Sequence, residues 1–224
     1  MTQSLVSLTA KQVMQDAPVI PVIVLQNVAH AVPLARALMA GGVRMLEITL
    51  RTSAALECMR AIRAEVPEAI VGAGTVCNAR DVDACLEAGA RFAVSPGYTA
   101  QLGLACRERG LPLLPGVATA SEIMHAQDDG YTGLKFFPAL QSGGVAMLKA
   151  LYGPFSHIQF CPTGGITAQN AGEFLALPNV VCVGGSWLVP ADALAQGDYK
   201  RIETLARQSA QLALQNGFHF LRGR

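Results

Sequence analysis

The chain has 224 residues, 51% hydrophobic and 15% charged, with a formal net charge of +1. That size suits a single domain over residues 1–224 and lies near the lower end for one (β/α)₈ barrel. A near-neutral balance with no basic run argues against a nucleic-acid partner, and no apolar run reaches the length of a membrane span.

The first sixteen residues, MTQSLVSLTAKQVMQD, lack the basic start and continuous apolar core of a secretory signal. Eight β-rich runs then follow in order. They cover 19–25, 43–50, 69–76, 91–96, 111–118, 131–138, 157–165 and 180–187. Alanine-rich amphipathic stretches such as AVPLARALMAGG and SAALECMRAIRAEVP separate them, and Gly89, Gly110 and Gly130 close three of these stretches. The last helix is expected over about 198–216, with FHFLRGR as a peripheral tail. Eight strands, each followed by a helix, predict an α/β protein of the (β/α)₈ TIM-barrel type. An open doubly wound sheet satisfies the same alternation.

The six cysteines show no CxxC spacing and read as free, mostly buried thiols in a reducing cytoplasm. His30, His125, His157 and His219 are scattered, and no motif places two of them on one face, so no metal site is expected.

In a parallel barrel, functional residues gather where strands end and the βα loops begin. Lys135, in GLKFFP, sits at such an end. Alternation puts it on one face with Gly133 and Phe137, opposite Leu134 and Phe136. An inward lysine is costly in an apolar core unless neutral or paired, although a lysine can also snorkel past a strand end. An amine attacks a carbonyl only after losing its proton, and an ordinary lysine is only ~0.04% neutral at pH 7. An apolar pocket with a nearby cation raises that fraction. The iminium that results is an electron sink, which permits carbon–carbon cleavage without a metal.

Glu47 is the second anomaly, isolated in VRMLEITL. Alternation gives Val43, Met45, Glu47 and Thr49 one face, and Arg51 follows at the same parity. Taken alone, Glu47 and Arg51 read as a structural pair. With Lys135 on another strand, Glu47 reads as a proton-transfer group. Thr163-Gly164-Gly165 and Gly184-Gly185-Ser186 end the last two strands, where barrels often hold phosphate on backbone N–H groups. GAGT at 72–75 is a third glycine-rich strand end, and Thr75 is placed to hydrogen-bond a carboxylate.

These segments carry a resemblance. PVIPVIVL, HAVPLARALMAGGVRMLEITLRT, VPEAIVGAGTV, SPG, KFFPA, GPFS, FCPTGGI and GGSWLVPADAL resemble the bacterial 2-keto-3-deoxy-6-phosphogluconate (KDPG) and 4-hydroxy-2-oxoglutarate (KHG) aldolases, from about residue 15 to about 210. The resemblance implies a class I aldolase, a homotrimer needing no metal or other cofactor. It places the Schiff-base lysine on Lys135 and the acid–base glutamate on Glu47. It places the pyruvate-binding residues on Arg51 and Thr75, and the pocket wall on Pro96 and Phe137. It assigns Thr163, Gly164, Gly165, Gly184, Gly185 and Ser186 to binding the rest of a phosphorylated 2-keto acid. Leu140 and Gln141 depart from the family pattern, where an acidic residue is common. Two rivals remain. Phosphate-binding barrels of the tryptophan and thiamine pathways share such glycine loops but have no need of Lys135. A non-catalytic phosphate-binding module would bind ligand without turnover.

Overall fold

The computed structural model describes residues 8–215; the expected tail from Phe218 lies outside them. All strand pairing is parallel and falls into two sheets. The larger holds β5 (Leu113–Leu114), β4 (Phe92–Val94), β3 (Ile70–Gly74), β2 (Met45–Thr49), β1 (Val19–Ile23) and β9 (Val183–Gly185), in that order. The smaller runs β6 (Gly116–Val117), β7 (Gly133–Phe136), β8 (Gln159–Pro162). The fifth expected strand is therefore two short pieces. The break falls at Pro115, which has no N–H to give a ladder. Its carbonyl instead accepts the Lys135 N–H at 2.8 Å. At the other seam, Thr163 bridges Gly184 and Phe160 bridges Val180, both parallel.

The helices start where capping chemistry lets them. Asn78, Thr99 and Thr119 accept backbone N–H groups at the heads of α4 (Ala79–Glu87), α5 (Ala100–Glu108) and α6 (Ala120–Asp128). Glu122 reaches back to complete a capping box with Thr119. Gly89, Gly110 and Gly130 turn the chain after these three helices at positive φ, the conformation glycine adopts at least cost. The final helix is α10 (Tyr199–Gln215), within one residue of the expected bounds.

The core has two parts. A large cluster fills the space between strands and helices and includes Leu46, Ile48, Leu134 and Phe136. A smaller one lies on the other face of the strands: Ile20, Met45, Phe92, Val94, Leu114, Cys161 and Cys182, with Val13 and Met14. The last two belong to α1 (Ala10–Gln15), a short helix ahead of β1, six residues with too few turns to show an apolar period. Arg44 pairs with Asp16 at its end. Val43 departs from its expected face. It packs in the outer cluster because β2 begins only at Met45, so strand alternation does not reach back to it. Among the described residues, no helix is long and apolar enough to cross a membrane.

Candidate active site

Lys135 comes from β7 and Glu47 from β2, strands of different sheets. Their side chains nonetheless meet, with Lys135 Nζ 3.6 Å from Glu47 Oε1 and each side chain 4% exposed. Glu47 Oε1 is buried and accepts no hydrogen bond among the described residues, so the lysine is its electrostatic partner. Lys135 Nζ also lies 5.0 Å from the centroid of the Phe137 ring, within cation–π range. Below the pair lie the Cys161 and Cys182 thiols. Burial pushes the Cys182 thiol well up, and its contact with Cys161 and the nearby Glu47 charge act in the same direction. The two thiols belong to the inner apolar cluster, so the pair borders apolar surroundings on that side.

Arg51 and Thr75 also meet. Arg51 is exposed in the turn after β2, and its Nε donates to Thr75 Oγ1 at 3.4 Å. Thr75 follows β3 with φ of 63°, a left-handed conformation that a β-branched residue adopts only under strain. Thr49, expected on the pocket face, donates its hydroxyl to the Ile23 carbonyl at 2.9 Å and so ties β2 to β1. Pro96 follows β4, half-buried, and its backbone fills the place a side chain on Gly116 would take.

The loops after β7 and β8 are sewn together. Ala139 N–H donates to the Thr163 carbonyl at 2.8 Å and Leu140 N–H to the Gly164 carbonyl at 3.1 Å. Leu140, the departure from the family pattern, lays its side chain against Gly165. Gly164 and Gly165 both have positive φ, and Gly165 is exposed. Gly184 and Gly185 differ from them. Both are buried in β9, and a Cβ there would overlap the Thr163 side chain or the Trp187 ring. Packing accounts for that second glycine pair. Ser186, which follows it, is exposed. The Thr163–Gly184 bridge brings the two loops side by side. Ser186 and Trp187 also line a cavity of about 590 Å³ with Val22, Val24, Gln26 and His30. Lys135 and Glu47 do not line it. His30 shares a 2.8 Å hydrogen bond with the Tyr199 hydroxyl at its edge. Nothing in the local sequence around His30 signals that long-range contact. Among the described residues, no three His, Cys, Asp or Glu side chains gather as a metal site.

Residues 10–205 match the family described as KDPG and KHG aldolase. The KHG/KDPG aldolase of Escherichia coli (strain K12) is 55% identical over 203 residues, 91% of this chain and 95% of that protein. The KDPG aldolase of Legionella pneumophila, solved with pyruvate captured at low pH as a covalent carbinolamine intermediate, superposes with a TM-score of 0.89. It is 45% identical, covering 91% of this chain and 98% of that one. The 2-keto-3-deoxy-6-phosphogluconate aldolase of Zymomonas mobilis ZM4, solved with 3-phosphoglycerate, gives a TM-score of 0.87 at 47% identity, covering 91% and 95%. With a buried lysine–glutamate pair on two strands and these relatives across nine-tenths of its length, the chain belongs to the KDPG and KHG aldolase family.

Proposed function

We propose that this chain is a class I aldolase that cleaves 2-keto-3-deoxy-6-phosphogluconate to pyruvate and glyceraldehyde 3-phosphate, and 4-hydroxy-2-oxoglutarate to pyruvate and glyoxylate. One observation carries the reading: Lys135 Nζ and Glu47 Oε1 stand 3.6 Å apart, both buried, on strands of two sheets. An amine and a carboxyl group in that relation supply the nucleophile and the proton carrier of Schiff-base chemistry. The covalent pyruvate adduct of the Legionella relative and the 3-phosphoglycerate complex of the Zymomonas relative support it.

In this reading neutral Lys135 attacks the substrate ketone. Glu47 protonates the departing oxygen, and water leaves as the iminium forms. Glu47 then takes the proton of the C4 hydroxyl. The C3–C4 electron pair moves into the iminium, the aldehyde leaves, and an enamine stays on Lys135. Protonation of the enamine and hydrolysis return pyruvate and free amine. Arg51 and Thr75 hold the carboxylate, while Pro96 and Phe137 wall the reacting carbons. Thr163 with the Gly164–Gly165 and Gly184–Gly185–Ser186 loops holds the distal phosphate, Ser186 and Gly165 being its open members.

The same reading takes the two sheets as arcs of one closed (β/α)₈ barrel. Pro115 is one seam and the Thr163–Gly184 bridge the other. It takes the chain as a cytoplasmic homotrimer without a cofactor. Val24, Leu104, Met124, Leu140 and Tyr152, large apolar side chains exposed on the single chain, are candidates for cover by a second copy. Borohydride added with pyruvate tests the chemistry. It should fix one reduced pyruvyl group per chain at Lys135, by intact mass and peptide mapping, with activity undiminished by EDTA. An adduct on Lys149 or Lys200 instead would overturn the assignment.

A further inference from the structure

We infer that Gly74 is a positioning residue for the reaction: the side chain it lacks is the space in which the Glu47 carboxylate stands beside Lys135. Gly74 ends β3 and pairs with Thr49 on β2. Its backbone lies outside the left-handed region, so any residue adopts its conformation. The demand for glycine is therefore spatial. A Cβ at 74 would overlap Glu47 Oε1 and lie 2.8 Å from its Cγ and 3.0 Å from its Cδ. All three nearest atoms belong to Glu47. Two residues earlier on the same face, a Cβ at Gly72 would overlap the Phe92 ring. On this face of β3, Ile70 packs against the inner cluster, while Gly72 and Gly74 leave room, one for a core ring and the other for the carboxylate.

Glu47 is poorly anchored against displacement. Among the described residues its Oε1 accepts no hydrogen bond, and Lys135 at 3.6 Å is its near partner. A methyl group at 74 would push the carboxylate aside by rotating the glutamate, without moving backbone. The cost falls on proton transfer and not on the fold. This inference rests on the reading of Glu47 as the proton-transfer group.

A double-mutant cycle separates positioning from general damage. Gly74→Ala, Glu47→Ala and the double variant are compared with wild type by kcat, KM and melting temperature, with 2-keto-3-deoxy-6-phosphogluconate as substrate. Gly74→Ala should lower kcat by about 10–100-fold, part of the ~10²–10⁴ that a placed acid–base group contributes, with KM within about threefold. Added to Glu47→Ala, it should cost no more than about twofold further, because nothing remains to displace. The double variant should melt no lower than Glu47→Ala alone, since the new methyl enters space the carboxylate has left. If Gly74→Ala alone does not fold, the double variant still should. Equal losses in both backgrounds, an unchanged kcat in Gly74→Ala, or a double variant that fails to fold would overturn the inference. Full activity in Glu47→Ala would overturn the acid–base reading beneath it, and that failure shows in a different variant.

Discussion

Removing the lysine from its buried partner should destabilise the protein in a way that a second substitution repairs. Unit charges at the observed 3.6 Å attract by about 4–5 kcal/mol at an effective dielectric of roughly 20. With both side chains 4% exposed, Lys135→Met strands a carboxylate in apolar surroundings, a change that typically costs about 3–5 kcal/mol. For a chain of this size that is a melting temperature lower by about 6–20 °C. Glu47→Gln in the same chain removes the stranded charge while keeping shape, and most of the loss should return. The assay is thermal melting followed by circular dichroism at pH 8 and one protein concentration, because subunit association also shifts the midpoint. A Lys135→Met protein that melts with wild type would show that the pair is not desolvated. A double variant that falls by the sum of the single losses would show that the two groups do not interact.

Other measurements address the rest of the site. Thr75→Gly relieves a left-handed β-branched residue worth about 1–3 kcal/mol, so it should raise the melting temperature by a few degrees while raising KM, since Arg51 loses its hydroxyl partner. A lower melting temperature would contradict the strain. Ser186→Ala should reduce kcat/KM for the phosphorylated substrate by about 10-fold or more, the worth of one charged hydrogen bond, and leave 4-hydroxy-2-oxoglutarate nearly unaffected. Equal losses on both substrates would remove the phosphate assignment from this loop. Cys77 is the exposed thiol, while the other five are buried, and burial pushes Cys85 up to about 12 and Cys106 to about 11. One thiol per chain should therefore react with Ellman's reagent at pH 8 in the native state and six after denaturation. Two or more fast native thiols would contradict the burial.

Lys135 and Glu47 were legible because a lone charge inside an apolar strand run is expensive, and strand parity tells which way it points. Parity alone also placed Met45 inward and Leu134 and Phe136 outward, as found. It failed at Val43, where no strand exists to impose it. Gly89, Gly110 and Gly130 announced helix ends because the left-handed turn they make is a local requirement. Glycine was the ambiguous letter. Gly164 and Gly165 are needed for backbone conformation, Gly184 and Gly185 for room. The room is defined by Thr163 and Trp187, whose contact the sequence does not display. The break at Pro115 was written in the sequence, yet its consequence depends on which strand lies on each side. The helix α1 lacked a long apolar period, and its burial of Val13 and Met14 depends on the inner apolar cluster they join.

That helix bears on how molecules would enter and leave. Val13 and Met14 belong to the inner apolar cluster, and a Cβ on Gly133, two residues before Lys135, would meet Met14 Sδ. With Phe92, Leu114 and the Cys161 and Cys182 thiols they form one apolar layer. Under the closed-barrel reading that layer blocks one end, so substrate and products share the other. Under the Schiff-base reading the aldehyde then departs first, while the pyruvyl fragment waits on its covalent bond for the water that hydrolyses the iminium. An excess of aldehyde should accordingly drive the enamine back in the carbon-bond-forming direction.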